Sequence, residues 1–252
     1  MQSTLLVSVI INCYNSEKYL KAAIDSVYDQ TYQNWEIIFW DNASSDESAN
    51  IAKSYDDKVK YFRANKTLPL YEARSLAVKK AKGEFLAFLD CDDWWDKDKL
   101  TKQIPLFEEP NIGFVYGNFC VVNEIKNTKK IVSQKKQLPG GLLDDLLKHY
   151  AVGILTLMIR HSAYNQLNPG FDKRFSVIGD FDIVIRLAAE YESRFVNETI
   201  AYYRWHGENF SITNIKKSGD ELVEWHSSYK DHRVISKSRE FYFLSFYAKY
   251  LE

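Results

Sequence analysis

The chain has 252 residues, 46% of them hydrophobic and 15% aromatic, enough to bury the core of one large domain, or one domain with an appendage, without disulfides. Its 33 basic residues nearly cancel 34 acidic ones, so no global field draws it to nucleic acid and any anion site must be local. The three cysteines, Cys13, Cys91 and Cys120, lie far apart without the paired spacing of zinc sites, and read as reduced thiols of a cytoplasmic protein.

Residues 5–11 form a continuous β-branched apolar run, too short to span a bilayer and lacking the charged flank and cleavage site of a signal peptide; no later segment reaches spanning length. Similar runs at 35–40, 59–62 and 85–89 predict strands covered on both faces. Between the first two, Tyr19, Leu20, Ala23, Ile24 and Val27 fall on one helix face, with Asn15 or Ser16 as the cap. Tyr71, Leu76, Ala77 and Ala81 make a weaker stripe before Gly83. This alternation predicts an α/β fold with a mostly parallel sheet and right-handed crossovers. A strand at 114–122 follows, then a polar, basic loop from 123 to 137 that reaches Pro139-Gly140-Gly141. Helical patterns occupy 142–150, 182–191 and 218–251, with strand-like stretches at 154–159 and 195–203. The expected organisation is a first half over 1–122, a second half of the same domain over 123–215, and a C-terminal helical extension over 216–252.

Ligands of an open parallel sheet bind beyond the carboxyl ends of its strands. Three predicted strands end there in polar or acidic groups: Asn12-Cys13-Tyr14-Asn15, Asp41-Asn42 and Asp90-Cys91-Asp92-Asp93. Three carboxylates within four residues repel one another unless a cation compensates. Mg²⁺ or Mn²⁺, which takes one or two carboxylates plus phosphate oxygens, suits such a cluster and a diphosphate ligand. The plainer alternative is that Asp93 or Asp96 caps the helix running through 97–107. Asp180 and Asp182 open another predicted helix, and Asp182 lies four residues before Arg186, the spacing of an intrahelical ion pair.

Several of these motifs resemble, in order and spacing, the family 2 glycosyltransferases of GT-A fold. The resemblance is carried by Val7 through Asn15, Leu20, Ser26, Asp41 through Asp46, Ala73-Arg74, Gly83-Glu84-Phe85 and Asp90 through Asp93. It continues more loosely through Gly179-Asp180-Phe181-Asp182 with Arg186, and Tyr203-Arg204-Trp205-His206 with Ser211. It implies an inverting transfer from a nucleotide-sugar donor, by default a UDP-sugar, to an acceptor hydroxyl in surface polysaccharide or lipopolysaccharide assembly, on a glycan or lipid-linked glycan. It places Asn12, Tyr14, Asp41, Arg74 and Asp92 around the donor, with Tyr14 against the base and Asp41 at the base or ribose. Asp92, Asp93 and His206 match the metal and diphosphate positions, and Asp180 the base, with Asp182 open as its rival. The chain departs from the pattern at Asn12 (usually proline), Pro69 (glycine), Ser75 (asparagine) and Gly179 (glutamate). Ala201 stands where processive synthases carry the glutamine of Gln-x-x-Arg-Trp, so a non-processive enzyme is expected.

From residue 218 onward basic side chains (Lys230, Arg233, Lys237, Arg239) mix with aromatic ones (Tyr229, Phe241, Tyr242, Phe243, Phe246, Tyr247, Tyr250). Docking on the core or a second subunit is preferred for this helix, and contact with a membrane surface stays open. Two rival functions remain. A sugar-phosphate nucleotidyltransferase needs a glycine-rich first loop, and the turn after the first strand has no glycine. A binding module without turnover has Gly179 in its favour.

Overall fold

The computed structural model describes residues 5–132 and 142–241, and only the backbone of 211 and 212. The expected loop residues 133–141, including Pro139-Gly140-Gly141, and residues 242–252 of the C-terminal extension lie outside this description.

The first four strands follow the sequence closely: β1 (Val7–Cys13), β2 (Trp35–Asp41), β3 (Val59–Arg63) and β4 (Phe85–Asp90), joined by helices α1 (Glu17–Tyr28), α2 (Ser48–Lys53) and α3 (Leu70–Val78). Strands β1 and β2 are buried along their whole length, as continuous apolar runs require. All four pair in parallel, in the order β3-β2-β1-β4. Beyond them lie β5 (Trp94–Trp95), α4 (Lys99–Gln103), β6 (Ile112–Asn123), β7 (Thr128–Val132), α5 (Leu142–Lys148), β8 (Met158–Arg160), α6 (His161–Gln166), α7 (Gly179–Glu190), β9 (Glu192–Trp205), α8 (Phe210–Thr213) and α9 (Ile215–Tyr229). The sheet continues from β4 through β8, β6 and β9 to β5; β8 and β5 run antiparallel to their neighbours, while β6 and β9 are parallel to each other.

Three details differ from expectation. Residues 154–159 are a strand only in their second half, because Ile154–Thr156 turns as a 3₁₀ helix. The basic segment after β6 contains β7, which folds back on β6 as a hairpin; its exposed lysines suit a sheet edge that must stay soluble. The helix after the acidic turn begins at cap residue Asp98, so neither Asp93 nor Asp96 occupies the capping position.

The sheet is covered on both faces. Val9 and Ile11 of β1 pack with Leu20, Ala23, Ile24 and Val27 of α1. On the other face Ile10, Ile38, Leu86 and Phe88 pack beneath Ala73 and Ala77 of α3 and Ile183, Val184 and Leu187 of α7. Helix α9 docks on this second core: Trp225 is fully buried, and its indole N–H donates to Asp182 at 3.0 Å. The first part of the C-terminal extension is therefore fastened to the domain itself.

Candidate active site

Strand register brings the sequence-predicted residues to one edge. Cys13 lies opposite Asp41, Asn12 opposite both Trp40 and Asp90, and Asp41 opposite Arg63. The loops after β1 and β2 are laced together there. Asn15, at φ 49°, accepts the Ser45 N–H through Oδ1 at 2.8 Å, a left-handed conformation that asparagine tolerates. Ser16 occupies the cap position of α1 without a side-chain capping bond; Asp46 instead accepts the Glu17 N–H at 2.9 Å, supplying the cap from the neighbouring loop.

Each donor candidate has a distinct environment. Tyr14 is 52% exposed, its ring free for stacking. Asp41 is fully buried and accepts hydrogen bonds from Tyr61 Oη (2.5 Å), the Ser44 N–H (2.7 Å) and Arg63. Burial pushes its carboxyl upward, but these hydrogen bonds and the Arg63 charge outweigh it and hold Asp41 below the usual carboxylate range. Its geometry braces the edge. Asn12 is 7% exposed, and neither atom of its carboxamide has a protein partner; the adjacent Trp40 indole N–H has none either. These polar atoms are available to a ligand, and buried polar groups normally have partners. Trp40 also lines a cavity of about 310 Å³ with Arg63, Ala64, Asn65, Lys66, Leu68 and Leu76. Arg74 is buried on α3, bound to Asp90 Oδ1 at 2.5 Å, with its guanidinium 5.0 Å from the Tyr71 ring centroid.

The acidic turn after β4 is divided in its tasks. Asp90 pairs with Arg74, and burial still pushes its carboxyl up. Asp92 is partly exposed and meets His206 Nε2 through Oδ2 at 3.1 Å. Asp93 is 1% exposed and accepts the Arg204 N–H at 2.8 Å; burial, then the charges of Asp92 and Asp90, push its carboxyl well up. Asp93 thus pins the end of β9, and its side chain does not join the Asp92–His206 pair. Among the described residues no three or more His, Cys, Asp or Glu side chains are gathered as a metal-binding group.

Sequence reasoning named Arg204 but missed Tyr19, Trp94 and Glu124, which frame this pair with it. Arg204 donates through Nε to the Asp92 carbonyl at 2.8 Å, pairs with Glu124, and lies 4.5 Å from the ring centroids of both Tyr19 and Trp94. Tyr19 stacks on His206 with centroids 5.3 Å apart and donates its hydroxyl to Glu124 at 3.3 Å. The only signal for Tyr19 was its place on the α1 stripe.

The two aspartates of α7 separate cleanly. Asp182 is fully buried, bound to Arg186 at 2.5 Å as the spacing predicted, and accepts from Trp225 (3.0 Å) and Tyr229 (2.9 Å). Asp180 is half-buried and accepts from Tyr71 Oη at 3.2 Å. Burial pushes its carboxyl above the usual range; the Phe181 N–H, Arg74 and Tyr71 oppose that shift, while Asp90 adds to it.

The fold is shared with solved glycosyltransferases of GT-A fold. The mannosyltransferase PcManGT of Pyrobaculum calidifontis, solved with GDP-Man and Mn²⁺, superposes with a TM-score of 0.72 at 16% identity, covering 96% of this chain and 69% of that one. S. aureus TarS with UDP-GlcNAc superposes at 0.71 and 16% identity over 89% of this chain and 66% of TarS. Residues 8–166 match the model for glycosyl transferase family 2, and the chain belongs to that enzyme family. It is 36% identical over 167 residues to Escherichia coli WfgD, a UDP-Glc:alpha-D-GlcNAc-diphosphoundecaprenol beta-1,3-glucosyltransferase; the match takes in 66% of this chain and 64% of WfgD.

Proposed function

We propose that the protein transfers a sugar from a nucleotide diphosphate donor, a UDP-sugar, to a hydroxyl of a lipid-linked glycan during surface polysaccharide assembly, one sugar per encounter and with inversion. The relative WfgD, named for transfer from UDP-Glc to a diphosphoundecaprenol-linked acceptor, supports the donor and acceptor classes. Among the described residues no helix is long and apolar enough to cross a membrane, so the lipid-linked acceptor would be met from the membrane surface. The observation that carries the reading is the contrast at the start of α7: Asp182 is consumed by Arg186, Trp225 and Tyr229, whereas Asp180 keeps a half-buried carboxyl pushed toward higher pH.

Donor contacts belong to residues before 122: Tyr14 stacks on the base, and Asn12, braced Asp41 and buried Arg74 shape the nucleotide pocket. Residues 123–215 supply the acceptor side. Asp92 and His206 offer one carboxylate oxygen and one imidazole nitrogen 3.1 Å apart, a donor set that fits Mn²⁺ or Mg²⁺ sharing phosphate oxygens, with Asp93 Oδ1 held by the Arg204 N–H. Such an ion would neutralise charge growing on the leaving diphosphate. Asp180 takes the proton of the acceptor hydroxyl on a carboxylate oxygen while the hydroxyl oxygen bonds to the anomeric carbon and the bond from that carbon to the diphosphate oxygen breaks. Single displacement inverts the anomeric centre.

The bulk of Tyr71 accounts for Gly179, the one departure that favours a binding module: a Cβ at 179 would stand 2.4 Å from the Tyr71 ring. The test is a panel of nucleotide sugars, screened with Mn²⁺ by thermal shift and then by nucleoside diphosphate release with a GlcNAc-diphosphoundecaprenol acceptor. Release dependent on acceptor and metal is expected; donor binding without release across the panel contradicts the proposal.

A further inference from the structure

We infer that Tyr71 is the positioning residue of Asp180, fixing its carboxylate and setting the pH at which that carboxylate becomes available to take a proton. The inference rests on the reading of Asp180 as the base. Tyr71 is 3% exposed, and its ring fills the space that a side chain at 179 would need, with Cδ2, Cγ and Cε2 at 2.4, 2.5 and 2.7 Å from the Cβ position. Ring and glycine are thus a fitted pair. The ring also packs against Phe171, centroids 5.4 Å apart, and against the Arg74 guanidinium, itself bound to Asp90. These contacts hold the ring, and Oη donates to Asp180 Oδ1 at 3.2 Å.

Burial, then the Asp180 charge, pushes the Tyr71 phenol well above its ordinary range, so it stays protonated and remains a donor. The ionisable groups facing Asp180 are Tyr71 and Arg74 from α3, Asp90 from the end of β4, and Tyr150 after α5. Of these, Tyr71 donates to Oδ1 at 3.2 Å and the Tyr150 phenol also faces the carboxylate; a donor stabilises the carboxylate over the acid. The same chain of contacts, Asp180 to Tyr71 to Arg74 to Asp90, runs from the acceptor side to the end of β4, two residues before Asp92. It joins the two halves of the site through the buried side chains of Tyr71 and Arg74.

Tyr71→Phe keeps the ring and removes the donor. Without it Asp180 holds its proton to higher pH, so the acid limb of kcat moves up by about one pH unit. Transfer below that limb falls roughly tenfold and above it stays about twofold to threefold below wild type, because the carboxylate is less well held, with donor KM within about twofold. Replacing Tyr71 by 3-fluorotyrosine, a stronger hydrogen-bond donor, moves the limb the opposite way and carries the test if the Phe variant does not fold. The assay uses the full chain with the donor that the panel returns, starting from UDP-glucose and GlcNAc-diphosphoundecaprenol. An acid limb unmoved in both variants overturns the inference. Asp180→Asn, measured in parallel, separates the failures: wild-type transfer by that variant removes the base itself, whereas loss of transfer with an unmoved Tyr71→Phe profile removes only the role of Tyr71.

Discussion

Glu221 of α9 holds the segment that launches the helix carrying Asp180. Its carboxylate is 5% exposed and accepts three backbone N–H groups in a row, from Ser176 (2.8 Å), Val177 (2.9 Å) and Ile178 (3.1 Å), immediately before α7. Hydrogen bonds to a charged acceptor contribute at least about 1 kcal/mol each, so Glu221→Ala forfeits about 3 kcal/mol and leaves three donors without their acceptor. For a chain of this size that lowers Tm by about 6–12 °C. Glu221→Gln keeps one acceptor oxygen and turns an amide N–H₂ toward the other donors, so a drop of about 3–6 °C is expected. Thermal melts followed by circular dichroism, with matched urea titrations, measure both. Because Ile178 caps α7 and Asp180 follows two residues later, kcat should fall in the surviving Gln variant more than donor KM rises. An Ala variant melting within about 1 °C of wild type refutes this account of what anchors α7.

Asp182→Asn leaves Arg186 buried with a weakened partner and should cost about 3 kcal/mol or more in urea unfolding, whereas Asp180→Asn should change stability little; equal losses contradict their division of labour. His206→Ala should raise the Mn²⁺ concentration for half-maximal donor binding about tenfold, read by calorimetry, and an unchanged requirement removes His206 from the metal position. Tyr19→Ala should loosen the same loop and reproduce part of that effect, while Tyr19→Phe, which keeps the stack on His206, should not. With Asp180 as the proposed base, the pH profile of wild-type kcat should show a group titrating above the ordinary aspartate value near 3.9, because burial raises the Asp180 carboxyl. A limb at or below that value contradicts the assignment.

What the sequence showed depends on how far apart the partners lie. Continuous apolar runs marked β1, β2 and β4 to within two residues at each end, and the 3.6-residue stripe marked α1. The Asp182–Arg186 pair was legible because both ends sit on one helix. The acidic run after β4 looked like one cluster; its division among Arg74, His206 and the Arg204 N–H depends on α3 and β9, the latter more than 100 residues away. Strand β5 is two residues long and exists through its pairing with β9, which also stacks Trp94 on Tyr202. Likewise Tyr71 and Glu221 carry no motif. Their importance arises from the space beside Gly179 and from three N–H groups 43–45 residues away, which only the folded topology brings within reach.

Donor binding and proton removal are proposed to reside in different aspartates, Asp92 after β4 and Asp180 at the start of α7. Isothermal titration of the donor with Mn²⁺, paired with single-turnover transfer, tests it on Asp92→Asn and Asp180→Asn together. Asp92→Asn should weaken donor binding, while Asp180→Asn should bind the donor as wild type does and transfer at least about 100-fold more slowly. Wild-type transfer by Asp180→Asn, or unchanged donor affinity in Asp92→Asn, contradicts it.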